Sequence, residues 1–207
     1  MPARLGLLGG TFNPPHIGHL VCAQEALLAF GLERVLLVPA GVPPHKQVED
    51  DPGPEQRVAM CEAAVAGDER FAVSRADVDR DGPAYTVELL RALRAASPGD
   101  ELHFIVGGDM AHSLPTWREP EEVLSLARLA VAEREGVARD DIAERLAGLR
   151  GAAERVAFFA MPRIDVSSSL IRRRVAAGLP VRYLVPDAVA DHIGRHGLYA
   201  AYPDASA

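Results

Sequence analysis

The chain has 207 residues, 48% of them hydrophobic and 25% charged, with a formal net charge of −7. This is the size and composition of one packed globular domain with at most an appendage, so disordered and membrane classes gain no support. The negative balance excludes broad, charge-driven nucleic-acid binding, which needs Lys and Arg to replace phosphate counterions.

Arg4 and a short apolar run precede Gly9, too little for a signal-peptide core or a spanning helix. Cys22 and Cys61, the only cysteines, both lie in apolar stretches that read as helical, which argues against a disulfide framework and fits a reducing cytoplasm.

Short apolar runs predict strands over Leu5–Leu8, Arg34–Val38, Phe71–Ser74, Leu102–Val106, Leu129–Ala132 and Val156–Met161. A helix ends near Phe30, with Leu20, Ala23, Leu27 and Phe30 on one face and Gly31 as its stop. Further helices are predicted over Glu55–Val65, Thr86–Ala96, Asp140–Leu149, Ser168–Ala177 and Asp187–His196. Strands alternating with helices imply a Rossmann-like three-layer α/β/α fold, with a mainly parallel sheet and a C-terminal helical segment. Residues 1–198 read as a single domain and 199–207 as a flexible tail. The loop from Ala40 to Pro54 is long for a βα connection, a length often used for binding.

The segment Gly9-Gly10-Thr11-Phe12-Asn13-Pro14-Pro15-His16-Ile17-Gly18-His19 leaves the first strand and enters the first helix, at the sheet edge where ligands bind. Glycines let backbone amides approach phosphate oxygens, and the helix N-terminus presents unpaired N–H groups and partial positive charge. His16 and His19, three apart, project to the same side of a first helical turn, and Gly18 keeps the space between them open. Two imidazoles can offset charge on an α-phosphate and a departing pyrophosphate. Local capping or packing is the alternative for each. P-loop spacing, G-x-G-x-x-G, His-Glu-x-x-His and Gly-x-Ser-x-Gly are all absent.

Elsewhere the residues leave their roles open. Ser167 and Ser168 suit the N-cap of a helix, and Asp109, at the same sheet edge as the first motif, suits an N-cap as well as a ligand. Trp117 could fill the core or stack on a ligand. Of the Arg172-Arg173-Arg174 run, Arg173 and Arg174 read as solvated. His192 and His196, four apart on the last helix, read as surface histidines with no third metal ligand nearby.

His16-Ile17-Gly18-His19 after Gly-Gly-Thr-Phe resembles the signature of the nucleotidylyltransferase superfamily. Pro43-Pro44-His45-Lys46, Gly82-Pro83-Ala84-Tyr85-Thr86-Val87, Val106-Gly107-Gly108-Asp109, Trp117 and Val166-Ser167-Ser168-Ser169-Leu170-Ile171-Arg172 follow in an order similar to the bacterial nicotinate-nucleotide adenylyltransferases, across nearly the whole chain. The resemblance implies that a phosphate oxygen of nicotinate mononucleotide attacks the α-phosphorus of ATP, with Mg²⁺ as cofactor and no covalent enzyme intermediate. It implies that Thr11, His16, His19, Lys46 and Arg172 meet the phosphates, helped by Gly9, Gly10, Phe12, Gly107, Ser167 and Ser168. Asp109 would hold a ribose hydroxyl, Trp117 would stack on the pyridine ring, and Tyr85 and Thr86 would line the same pocket. The expected partners are ATP and nicotinate mononucleotide, with neither nucleic acid nor membrane, and a homodimer stays open.

Several positions depart from the family pattern: Asn13 where Asp is frequent, Ala84 where Ser is usual, Ser169 where Thr is common, and Glu135 after Arg134 where Pro is expected. No role is assigned to Arg134. A phosphopantetheine adenylyltransferase and a nucleotide-sensing module without turnover are the competing readings. An aminoacyl-tRNA synthetase carries a similar motif, but this chain is short and acidic for one.

Overall fold

A computed structural model of the protein describes residues 2–42, 50–133 and 139–200. Its strands are β1 (Arg4–Gly10), β2 (Arg34–Pro39), β3 (Phe71–Val73), β4 (Glu101–Gly107), β5 (Arg128–Glu133) and β6 (Val156–Ala160). Its helices are α1 (Ile17–Phe30), α2 (Pro54–Val65), α3 (Thr86–Ala96), α4 (Gly108–Ser113), α5 (Pro120–Leu126), α6 (Arg139–Leu146), α7 (Ala152–Arg155), α8 (Ser168–Ala176) and α9 (Asp187–His196).

The six strands form one sheet in the order β3-β2-β1-β4-β5-β6. Every neighbouring pair is parallel, so the sheet is more uniform than the mainly parallel one expected. From β1 the chain winds outward through β2 and β3, then returns to the other side of β1 for β4, β5 and β6. The β1/β4 boundary is therefore the topological switch point, where a crevice opens at the carboxyl ends of the strands.

Alternating side chains build the layers. Leu7, Val38, Phe104, Val106, Leu129 and Val131 face a core shared with α3, α5 and α6. Leu8, Val35, Leu37, Ile105, Ala130 and Ala132 face the opposite core, against α1. The predicted apolar face of α1 is there: Ala23 and Leu27 are buried, with Leu20 and Phe30 packed at the margin, and Gly31 ends the helix at φ 56. A third cluster, of Met60, Ile171, Val181, Val185, Val189 and Ile193, joins α2 to α8 and α9.

Three local expectations change. The helix expected through Leu149 stops at Leu146, two residues before Gly148, and α7 begins after Gly151, which has φ 86; mid-helix glycine is unfavourable and positive φ suits it. Helix α5, absent from the predicted helices, has helix-start signals in Pro120 at its start and Glu121 and Glu122 in its first turn. Finally, Tyr199, expected in the flexible tail, is held by its hydroxyl, which donates to Asn13 Oδ1 at 2.6 Å; residues 201–207 lie outside the described residues.

Gly6 in β1 tests how tightly the sheet packs beneath α1. A Cβ there would sit 2.8 Å from Leu32 Cδ1, 2.9 Å from Val35 Cγ2 and 3.0 Å from Ile105 Cδ1. Gly6→Ala is expected to destabilise the protein by about 1–3 kcal/mol through overpacking, read from the urea midpoint at unchanged m-value.

Candidate active site

A cavity of about 400 Å³ lies at the β1/β4 switch point. Gly9, Gly10, Thr11, Gly18 and His19 form one wall, Gly107 and Asp109 another, and Tyr85, Thr86 and Trp117 the far end. Nine of the residues proposed from sequence thus share one cleft: these ten without Gly18. His16, Phe12, Ser167, Ser168 and Arg172 lie behind or beside it, and Lys46 falls outside the described residues.

His16 is the N-cap of α1, in extended conformation, and is buried. Its backbone N–H donates to Nδ1 of His19 at 3.2 Å, and the two rings stack with centroids 3.7 Å apart. Capping and site geometry are therefore one arrangement. Because Nδ1 of His19 accepts a hydrogen bond, the neutral ring carries its hydrogen on Nε2. A Cβ on Gly18 would come within 3.1 Å of the His16 ring, so glycine here leaves room for the stack. The start of α1 is less open than expected, because the Ile17 N–H donates to the Leu184 carbonyl at 3.1 Å and the His19 N–H to the His16 carbonyl at 2.9 Å.

Phe12 enters differently from its predicted place against ATP. Its ring is buried and meets the His19 ring edge-on at 5.0 Å, so it is the support behind the imidazole. It adopts φ 51, an unusual conformation for a bulky residue that costs about 1–3 kcal/mol and persists only where the surroundings impose it.

Ser167 caps α8, accepting from the Leu170 N–H at 3.2 Å, and the Ser168 hydroxyl donates to the Pro14 carbonyl at 2.8 Å. Arg172 Nη1 donates to the Asn13 carbonyl at 2.9 Å. These groups, expected on phosphates, stitch α8 to the loop that carries the histidines. Arg173 is exposed, and Arg174 donates to the Pro180 carbonyl from both Nε and Nη2.

Gly107 is the N-cap of α4, which places Asp109 in the first turn instead of at the cap, with its carboxylate on the cleft. Tyr85 is the N-cap of α3 and Thr86 its first residue, so a positive helix end faces the same cavity. Arg118 lies over the Tyr85 ring, 5.0 Å from its centroid. Trp117 packs edge-on against Phe104 at 6.1 Å, donates from Nε1 to Ser113 Oγ at 3.0 Å, and also lines the cleft.

Two buried charged groups were missed. Asp77, at the cleft, accepts from the Gly41 N–H at 2.9 Å and from Arg80 Nη2 at 2.9 Å. Arg57, fully buried, sits below the cradle and contacts Thr11, Ala40, Gly41 and Asp51. Neither stands in a motif, and Arg57 lies on a helix where an arginine is ordinarily solvated.

Similarity to known proteins extends along the chain. Residues 7–174, from β1 into α8, match the family model described as "Cytidylyltransferase-like". A "Probable nicotinate-nucleotide adenylyltransferase" of Thermomicrobium roseum is 45% identical over 197 residues, spanning 95% of this chain and 92% of that protein. One of Roseiflexus sp. with the same description is 44% identical over 95% of this chain and 98% of its own length. With such identity along nearly its whole length, the chain belongs to the nicotinate-nucleotide adenylyltransferase family. A solved structure titled "Plasmodium falciparum nicotinic acid mononucleotide adenylyltransferase complexed with NaAD" shares the fold at TM-score 0.75 and 16% identity, over 95% of this chain and 97% of that one.

Away from the cleft, His192 is buried, contrary to the surface reading, with Nε2 2.7 Å from Gln56 Oε1 and the His196 ring 4.3 Å away. Burial, then the positive charge of His196 and Arg195, holds its pKa below the usual histidine value. Among the described residues, no group of three or more His, Cys, Asp and Glu could hold a metal ion, and no helix is long and apolar enough to cross a membrane. Because the folded-state pKa is depressed, the unfolded chain takes up the proton first, and stability falls as pH drops below about 6.5. His103, buried in β4, is shifted the same way, chiefly by burial. The urea midpoint is expected to fall between about pH 7.5 and 5.5, and to fall less in His192→Gln; an equal fall in the variant would refute the assignment.

Proposed function

We propose that the protein transfers the AMP moiety of ATP to nicotinate mononucleotide, giving deamido-NAD and pyrophosphate, in the formation of NAD. The observation that carries this reading is that His19, stacked on His16, and the Tyr85, Thr86 and Trp117 end line one cleft, so a nucleotide phosphate and an aromatic acceptor can occupy it together.

A phosphate oxygen of the mononucleotide attacks the α-phosphorus of ATP, the bond to the bridging oxygen breaks, and pyrophosphate leaves. Transfer of this kind asks the protein mainly to align reactants and offset charge. His19, held by its Nδ1 bond, donates from Nε2–H to the phosphate chain, with His16 stacked behind it. Gly9, Gly10, Thr11 and Gly107 let the nucleotide approach the backbone at the switch point. The Ser168 hydroxyl hydrogen is on the Pro14 carbonyl, so Ser168 serves ATP through its backbone N–H at the start of α8, whereas the Ser167 hydroxyl, which accepts from the Leu170 N–H, keeps its hydrogen for a phosphate oxygen. Arg172 contributes the guanidinium N–H groups not used on Asn13, and Lys46 adds a further cation.

Asp109 accepts from a ribose hydroxyl. The pyridine ring stacks on Trp117, and its carboxylate meets the N–H groups at the positive end of α3, where Tyr85 and Thr86 lie. Mg²⁺ offsets phosphate charge when it arrives with ATP. Asp77 and Asp109 are the carboxylates among the described cleft residues, and the Asp77 oxygens are already engaged, which suits an ion carried by the phosphates and not by a protein cage.

Pyrophosphate release from ATP and Mg²⁺, compared across nicotinate mononucleotide, its amide counterpart and phosphopantetheine, tests this reading. Release is expected with the nicotinate form. None with any acceptor would remove the enzyme reading, and release only with phosphopantetheine would remove the acceptor. His19→Ala is expected to lower kcat by roughly 10²–10³ with the fold intact; near-normal turnover of a folded variant would contradict its role.

A further inference from the structure

Arg57 lies on α2, outside the cleft, and is 0% exposed. A guanidinium has five N–H donors in a rigid plane. Here Nη1 donates to the Thr11 carbonyl at 3.1 Å and the Ala40 carbonyl at 2.6 Å, Nη2 donates to the Gly41 carbonyl at 3.0 Å, and Nε donates to Asp51 Oδ1 at 3.0 Å. Thr11 follows β1, Ala40 and Gly41 follow β2, and Thr11 and Ala40 both line the cleft. One side chain therefore fixes the spacing between two adjacent walls.

The Thr11 contact has a consequence one residue further on. The carbonyl that Arg57 holds belongs to the peptide joining Thr11 to Phe12, and Phe12 sits at φ 51 with its ring 5.0 Å from that of His19. The anchor on that carbonyl opposes rotation of the peptide toward negative φ, which would carry the Phe12 ring away from the imidazole. The Gly41 side is equally constrained: its N–H donates to Asp77 Oδ2, and a Cβ at Gly41 would lie 2.5 Å from the Asp77 carbonyl oxygen.

We propose that Arg57 is a positioning residue for nucleotidyl transfer, which holds the Thr11–Phe12 peptide and the Ala40–Gly41 wall in register and through Phe12 fixes the His19 ring. It touches neither the nucleotide nor the acceptor. Its kinetic consequence depends on the adenylyl transfer proposed above, whereas its effect on His19 does not.

Arg57→Lys retains the charge, but a single ammonium cannot span three carbonyls and a carboxylate in one plane. Turnover with ATP and nicotinate mononucleotide is expected to lose roughly 10²-fold in kcat, the scale of an ångström-sized misplacement, while KM for ATP stays within about threefold. Imidazole ¹⁵N resonances of His19 are expected to show the Nε2–H tautomer in the wild type and a mixture of tautomers in Arg57→Lys.

Asp51→Ala leaves the guanidinium and its three carbonyl partners in place and removes the carboxylate that accepts from Nε and from the Gly53 N–H, so it keeps the test open if Arg57→Lys does not fold. Roughly a tenfold loss of kcat and the same direction of tautomer change are expected there. A folded Arg57→Lys, or Asp51→Ala, with lower thermal stability but unchanged kcat and unchanged His19 resonances would overturn the proposal. If the wild type releases no pyrophosphate with any acceptor, the function reading fails, and the His19 resonances alone decide the role of Arg57.

Discussion

The rest of the molecule depends on one topological constraint, the reversal of winding between β1 and β4. A parallel strand must be reached by a crossover, and crossovers that start on opposite sides of β1 leave the carboxyl ends of β1 and β4 uncovered between them. Gly9 to Thr11, Gly107 to Asp109 and the start of α1 converge there because each lies at the carboxyl end of β1 or β4 or just beyond it. Residues distant in sequence join by docking onto this edge: Ser168 and Arg172 reach Pro14 and Asn13, Leu184 reaches Ile17, and Tyr199 reaches Asn13.

This docking divides polar groups between holding the loop and meeting a ligand. Asn13 shows the division most clearly. Its carbonyl takes Arg172, its Oδ1 takes the Tyr199 hydroxyl, and its Nδ2 donates to the Asp50 carbonyl at 3.4 Å. An amide can serve as donor and acceptor at once, as an ionised carboxylate cannot, so the departure from Asp at this position has a use. The loop is thereby tied to α8, to the C-terminal segment and to the chain ahead of α2, while Gly10, Thr11 and His19 face the cleft.

The fold was legible because parallel strands buried on both faces read as continuous apolar runs, and the six runs found correspond to the six strands within a residue or two at their ends. The histidine motif was legible because glycine, histidine spacing and position after a strand point the same way. Arg57 and Asp77 were not, since the partners that tie them to the cleft, the carbonyls of Thr11, Ala40 and Gly41 and the Gly41 N–H, are brought near by tertiary folding, and no local pattern encodes such contacts. The same reason explains Ser168 and Arg172, for which the sequence suggested a phosphate contact but not the carbonyls of Pro14 and Asn13. His192 was misplaced because helix position alone does not reveal that α2 packs over it, with Gln56 at hydrogen-bond distance.

The central claim is that AMP passes directly from ATP to the acceptor, with His19 offsetting charge and not forming a bond to phosphorus. Stereochemistry at the α-phosphorus addresses it most directly, because one displacement inverts that centre and two displacements restore it. With a single diastereomer of adenosine 5′-O-(1-thiotriphosphate) and nicotinate mononucleotide, the dinucleotide product is predicted to be inverted at phosphorus. Retention would require a covalent adenylyl intermediate on a cleft residue such as His19 and would contradict the account.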